Sequence, residues 1–414
     1  MRPHQTSDPV VADCRAGPLS GLLVIDLTRV LAGPYATMLL ADLGARVIKV
    51  EAPGTGDDSR AIGPFLPADP ETGEAGDSAY FTSVNRGKES LALDLRTDAD
   101  RAIFEGLLAR ADILVENFRP GAMERMGYGF EALHVRHPRL IYAAASGFGH
   151  SGPESRRAAY DVIVQAMGGI MSITGAEPGP GESPVPTRVG TSLGDITAGL
   201  FTVIGIEAAL LERHRSGLGQ KVDVAMLDCQ IAILENAIAR FQVSGRSPGP
   251  LGTRHPSITP FQAFSTSDRP IVIAAGNDLL WEACCKALGL GALMADPRFA
   301  TNDSRTTHAA VLVDALESRL RTKTADTWLA ALGEAGVPAG PLNTVGEALA
   351  MPQVAARNML VDTRTPSGKP LKVAGNPIKM SAHPDPSVRP QAPLLDSARA
   401  AILAELPALG LPSS

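Results

Sequence analysis

"LSGLLVIDLTRVLAGPYATMLLADLGARVIKVEAPG", residues 19–54, sets two short apolar runs on either side of a helical pattern. "LLVIDL" (22–27) has the length of a buried strand. "GPYATMLLADLGA" (33–45) repeats its apolar residues at helical spacing and stops at Gly44, with Pro34 in the first turn where a proline fits. "RVIKVEAP" (46–53) is a second β-branched run closed by Pro53. Strand, helix and strand in this order predict a βαβ unit, a parallel sheet and a right-handed crossover.

The pattern continues outward. "KESLALDL" (88–95) reads as a strand, "DADRAIFEGLLARA" (98–111) as an amphipathic helix and "DILVEN" (112–117) as a strand. "RLIYAAASGFG" (139–149) is one more strand running into a glycine loop. The fold class expected is α/β: a doubly wound, Rossmann-like large domain with a small α+β domain. The expected layout is a flexible extension over 1–18, a large domain over 19–224, a small domain over 225–325, and a return to the large domain over 326–414. "FQAFSTSDRPIVIAAGN" (261–277) predicts a hairpin turning at "SDRP" within the small domain.

Of the 414 residues, 44% are hydrophobic and 20% charged, which supplies a large core. The net charge is −6, so no basic field for nucleic acid is present. Cys14, Cys229, Cys284 and Cys285 make no CxxC pair and no metal-ligand spacing, so we expect free thiols, no metal, and a reducing cytoplasm. The N-terminal residues lack an apolar signal core. No membrane span is expected; the apolar run after Asp195 is interrupted by glycine.

Nucleotide motifs are absent. Only Gly33 stands where G-x-G-x-x-G would follow the first strand, and no G-K-[ST] occurs in the proline- and glycine-rich loop at 176–190. No G-x-S-x-G elbow and no histidine pair at metal spacing is found. What remains are acids in glycine-rich settings. Asp195, in "TSLGDITAGLFTVIGIEAAL" (191–210), heads a long apolar helix. Taken alone, it is a helix-starting acid that satisfies free backbone N–H groups and the dipole. Asp161 holds the same kind of place, Asp26 ends a strand and suits a turn, and His150 reads as an exposed loop residue.

Six motifs in order resemble the class III coenzyme A transferases: residues 25–60, "NRGKESLALDL" (85–95), "ADILVENFRPGAMERMGYG" (111–129), "GFGHSGP" (147–153), "YDVIVQAMGG" (160–169) and "SLGDITAGL" (192–200). Formyl-CoA and carnitine CoA-transferases are members. "TRVLAGPYATM", "GTRHPSITPFQAF" and "AAGN" look most like dicarboxylate-type members such as succinate–hydroxymethylglutarate CoA-transferase. The resemblance covers about residues 19 to 400. It implies a CoA-transferase acting on acyl-CoA and a carboxylic, especially dicarboxylic, acid, with succinyl-CoA as donor, and an interlocked homodimer of ring-shaped chains.

By motif, the resemblance makes Asp195 the nucleophile. A carboxylate attacks the thioester and splits one exchange into easier covalent steps, and a helix N-terminus favours its ionised form. It assigns coenzyme A contacts to Arg29, Val30, Leu31 and Ala32; to Leu93, Asp94, Leu95 and Arg96; to Asn117, Phe118, Arg119 and Arg125; and to Ala158, Ala159, Tyr160 and Asp161. Gly168 and Gly169 are candidate oxyanion donors. Arg254 and His255, with Arg60 and Arg86 behind them, are candidates for a second carboxylate.

Three departures stand out. Leu31 replaces the glutamine of formyl-CoA transferase, which argues against formyl or oxalyl transfer. Ala52 replaces a basic residue at a coenzyme A contact. No glycine-run loop is present, and "PGPLGTRHPS" (248–257) stands in its place. The alternatives are an α-methylacyl-CoA racemase, whose histidine before the "YD" aspartate is absent here, and an inactive CoA-binding protein, against which the retained Asp195 argues.

Overall fold

Strands β1 (Leu23–Asp26), β2 (Arg46–Glu51), β3 (Glu89–Ala92), β4 (Ile113–Glu116), β5 (Ile141–Ser146) and β6 (Lys221–Ala225) form one parallel sheet in the computed structural model. The order is β3-β2-β1-β4-β5-β6, every neighbouring pair parallel. The structure describes residues 17–68, 73 and 76–406. Residues 1–16 of the expected extension, with Cys14, lie outside them.

Alternate residues of β1, β2, β4 and β5 serve two cores, which is why these runs are apolar on both faces. Ile25, Ile48, Leu91, Leu114 and Tyr142 pack on one face. Val24, Val47, Ile113, Val115 and Ile141 pack on the other. Helix α1 (Ala32–Asp42) ends where the sequence predicts, with Gly44 at φ +102° and the Ala45 N–H returning to Leu40 O at 3.0 Å.

The long helix is Leu193–Ser216, one continuous element of 24 residues. It passes unbroken through the two glycines expected to interrupt it, and by length and composition it could cross a membrane. Here it covers a sheet face instead, burying Thr197, Ala198, Val203, Ile206 and Ala209. The glycines are packing devices: a Cβ at Gly199 would stand 2.9 Å from Ala32 O, and one at Gly205 would stand 2.5 Å from Val222. Their absence lets the helix lie close to α1 and β6.

The chain divides into two compact units. One holds the parallel sheet and takes 1–170, 189–239 and 352–414; the other takes 171–188 and 240–351. The second unit is therefore placed differently from the expected 225–325. Residues 226–232 stay with the parallel sheet because Met226 and Cys229 pack with Val164 and Ala198. Within the second unit, β7 (Phe261–Phe264), β8 (Ile271–Ala274) and β9 (Ala339–Pro341) form an antiparallel sheet, including the expected hairpin. Phe264, Trp281, Leu316 and Trp328 fill its core. A second hairpin, β10 (Leu360–Arg364) with β11 (Pro370–Ala374), belongs to the first unit and carries no signal in the sequence reading.

Candidate active site

The strand order reverses between β1 and β4, and a crevice opens beyond the carboxyl ends of strands at such a point. Residues leaving β1, β4 and β5 line a cleft of about 250 Å³: Arg29 to Ala32, Asn117 to Pro120, and Ala145 to Gly147. Ala158, Ala159 and Tyr160 complete it, and Asp195 lies in its wall. A second cleft of about 230 Å³ is lined by Leu93 to Arg96 together with Val50 and Ala52. Arg29 and Phe118 line both, so the two clefts adjoin. Ala52, the residue that departs from the family pattern, leaves that second wall apolar.

Arg29, Arg119 and Arg157 place three arginines in the lining of the first cleft. Arg29 pairs with Asp58 at 3.3 Å and Arg157 with Glu154 at 3.0 Å, both solvent-exposed pairs. Such pairs are weak and can be exchanged for a phosphate. Arg157 also lies over the Phe148 ring.

Asp195 occupies the third position of its helix. The residue before it is anchored from a neighbouring element: Gly194 donates its N–H to Asp161 Oδ1 at 2.8 Å. Asp161 is buried at the start of the helix Asp161–Met167, and the Gln165 amide holds both its oxygens at 3.1 and 3.0 Å. Gln165 is fully buried and takes the Val189 N–H at 2.9 Å. Asp161 thus stands behind the cleft wall and orients the helix start.

Leu31 also borders a third cavity of about 340 Å³, shared with Tyr80, Arg86, Ser192 and Ile196. Burial pushes the Tyr80 hydroxyl up to about 12, helped by the charges of Asp195, Asp57 and Asp161. Tyr80 therefore sits in the field of Asp195. Arg86 is buried, with its guanidinium on Asp42 at 2.7 Å and on Ser83 O at 2.8 Å.

Several expectations change. The Gly168 N–H is spent on Val164 O at 2.8 Å, closing the helix, so it is not available to an oxyanion. Gly169 adopts φ +83° as a turn residue. Arg125 is exposed on the short helix Ala122–Met126 and lines neither of these two clefts. Arg254 and His255 belong to the second unit. There Arg254 pairs with Glu177 at 2.5 Å, and the His255 ring packs on Phe261 and accepts the Ser257 N–H. Arg60 is held by both oxygens of Glu51.

Asp26 does more than turn the chain. It accepts the Thr28 N–H at 2.8 Å, but its buried carboxylate also binds Thr37 at 2.7 Å and Lys88 at 3.0 Å. Burial opposes its charge, yet Lys88 and Lys49 hold it well below the usual carboxylate range. The His150 side chain is buried rather than exposed, with Nε2 3.6 Å from Glu116 Oε1. Among the described residues no group of three or more His, Cys, Asp or Glu is placed to hold a metal.

Asp195 thus shares the wall of one cleft with three arginines. The profile of CoA-transferase family III matches residues 19–399. The chain belongs to that family. It is 48% identical to the acetyl-CoA:oxalate CoA-transferase of Acetobacter aceti over 394 residues, covering 95% of this chain and 96% of the relative. It is 41% identical to the succinate–glutarate CoA-transferase of Agrobacterium fabrum, covering 95% and 96%. A solved CaiB/BaiF family protein from Brucella suis superimposes with a TM-score of 0.80 at 43% identity, covering 94% of this chain and 99% of that one. As a family III CoA-transferase, this chain takes a CoA thioester as substrate.

Proposed function

We propose that the protein moves coenzyme A from succinyl-CoA to a dicarboxylate through a covalent intermediate on Asp195. The observation that carries this reading is Asp195 in the wall of the cleft lined by Arg29, Arg119 and Arg157. The arginines take the coenzyme phosphates, and the apolar second cleft takes the adenine end.

The Asp195 carboxylate attacks the thioester carbonyl and expels the CoA thiolate, leaving a mixed anhydride. The thiolate attacks the aspartyl carbonyl of that anhydride. The donor acid leaves as its carboxylate, and an aspartyl–CoA thioester remains. The acceptor carboxylate then attacks the aspartyl carbonyl and releases the thiolate. The thiolate attacks the acceptor's acyl carbonyl and restores the Asp195 carboxylate. No proton has to move in the sequence, which suits a site whose lining, among the described residues, holds no histidine. A racemase would need two acid–base groups flanking the α-carbon.

The cavity behind Leu31 receives the acyl body. It lies in the same region as Asp195 and is far larger than oxalate requires. Leu31 argues against the shortest acids, whereas the oxalate transferase from Acetobacter aceti, at 48% identity, argues for including oxalate among the acceptors. An interlocked homodimer accounts for the exposed Leu200, Phe201, Ile204 and Leu211 on the long helix. A cytoplasmic setting fits the free thiols of Cys229, Cys284 and Cys285.

The test is succinyl-CoA with a panel of carboxylates (oxalate, malate, mesaconate, itaconate, citramalate, glutarate), products followed by mass spectrometry. Without acceptor, the intact protein should gain a CoA ester that Asp195→Asn cannot form. Full exchange by Asp195→Asn would overturn the mechanism.

A further inference from the structure

Val30 adopts φ +69° in the wall of the candidate coenzyme cleft. A β-branched residue in the left-handed region is strained and persists only when its surroundings impose it. Its neighbours Arg29 and Leu31 are not among the residues with positive φ, so the strain sits at one residue.

The surroundings are unusual in being charged and dry. The Val30 N–H is donated to Asp57 Oδ1 at 3.1 Å. The same oxygen takes the N–H and the hydroxyl of Ser59, each at 2.8 Å. The other oxygen lies 2.8 Å from Lys49 Nζ, and both side chains are fully buried. Lys49 Nζ also donates to Thr28 O at 2.7 Å. One lysine on β2 therefore grips the chain two residues before Val30 and also the carboxylate that takes the Val30 N–H. Asn117 closes the flank, accepting the Arg29 N–H at 2.9 Å and donating to Arg29 O at 2.8 Å.

A buried ion pair is a poor way to gain stability, because desolvation offsets most of the attraction. It is a good way to hold one backbone geometry, because breaking either half leaves a buried charge. We propose that Asp57 is a positioning residue that holds Val30 left-handed and so keeps the Arg29–Ala32 wall shaped for the CoA thioester, with Lys49 balancing its buried charge. This rests on the cleft being the coenzyme site. Neither residue reacts. Asp57 acts through the Val30 N–H, and Lys49 compensates the Asp57 carboxylate.

The experiment compares Lys49→Met/Asp57→Asn with Lys49→Met/Asp57→Leu. Both remove the buried charges together, so neither leaves an unpaired ion. The first retains an oxygen for the Val30 N–H; the second does not. Crystal structures read the Val30 conformation, calorimetry reads CoA binding, and kinetics read KM and kcat for succinyl-CoA. The Asn pair should keep Val30 at positive φ and bind CoA within about threefold of wild type. The Leu pair should release Val30 to negative φ and raise KM about tenfold or more. Adding Val30→Gly to the Leu pair should recover at least threefold in KM, since glycine holds positive φ without help. A merely structural role would show no recovery. Equal KM for the two pairs, or an unmoved Val30 in the Leu pair, overturns the proposal. Wild-type protein that takes no CoA overturns the reading of the cleft instead, and the crystals still decide whether Asp57 sets Val30.

Discussion

Asp161 Oδ1 holds the backbone N–H of Gly194 at 2.8 Å, one residue ahead of Asp195. Two acids that look alike in the sequence thus have different places. Asp195 faces the cleft, while Asp161 stands behind it and ties the start of the long helix to Gln165. Asp161→Ala should cost about 1 kcal/mol of stability as a lost cap. It should lower kcat about tenfold by loosening the Asp195 backbone, with KM for succinyl-CoA changed less. Asp161→Asn keeps an oxygen for Gly194 and loses one of the Gln165 contacts, so its kcat should fall between. Steady-state kinetics on the two variants check this ordering.

Burial at the end of β4 gives a second prediction. It pushes the Glu116 carboxyl up to about 7, against hydrogen bonds from the Phe118 N–H and the Tyr142 hydroxyl. The folded state therefore holds a proton that the unfolded state releases near its ordinary value of 4.5. That stability is fully present below the unfolded value and is lost as pH rises to about 7. The loss amounts to about 3 kcal/mol. His150 works the other way, since burial lowers its pKa and its neutral form is favoured in the fold. Glu116→Gln isolates the carboxyl. Relative to wild type, the variant should gain melting temperature at pH 8 and gain little at pH 4.5. Thermal unfolding at the two pH values reads the difference.

The parallel sheet was legible because β1, β4 and β5 are buried, largely apolar runs, and because α1 carries its own start and stop. The cleft was legible through motifs at strand ends, where Arg29, Asn117 and Phe118 converge. Lys49 and Asp57 were not legible. A lysine inside "RVIKVE" has the pattern of a solvated residue, and only the fold shows that its charge meets Asp57 across a loop. His150 failed for the same reason, since its ring lies buried beside Glu116, which is distant in sequence. Gly168 was misread because a glycine pair marks equally a helix end and a donor loop, and the Val164 carbonyl decides between them.

Gly147 supplies a third prediction. A Cβ there would stand 2.3 Å from Ala159 Cβ, and both residues line the first cleft. Gly147 is not helical, so alanine gains no helix propensity to offset the clash. Gly147→Ala should destabilise by about 1–3 kcal/mol through overpacking. It should also push the Ala158–Tyr160 segment out of line, raising KM for succinyl-CoA more than it lowers stability would suggest. Calorimetric CoA binding at a temperature where the variant is fully folded separates the two effects.

Arg157 tests the electrostatics of the cleft without touching the reacting atoms. Among the described residues its guanidinium pairs with the exposed Glu154 alone and lies over Phe148, a weak hold that a phosphate can replace. A charge-assisted hydrogen bond contributes about 1.5–3 kcal/mol. Arg157→Gln should therefore raise KM for succinyl-CoA about 10–100-fold, with kcat within about twofold. The same substitution should leave kcat/KM unchanged for succinyl-N-acetylcysteamine, a thioester with the same reacting end and no phosphates. If both thioesters suffer equally, Arg157 shapes the cleft rather than binding the coenzyme, and the phosphates must be held by Arg29 and Arg119 alone. Raising the salt concentration should weaken the full thioester more than the truncated one, because the truncated one lacks the phosphate contacts that screening weakens.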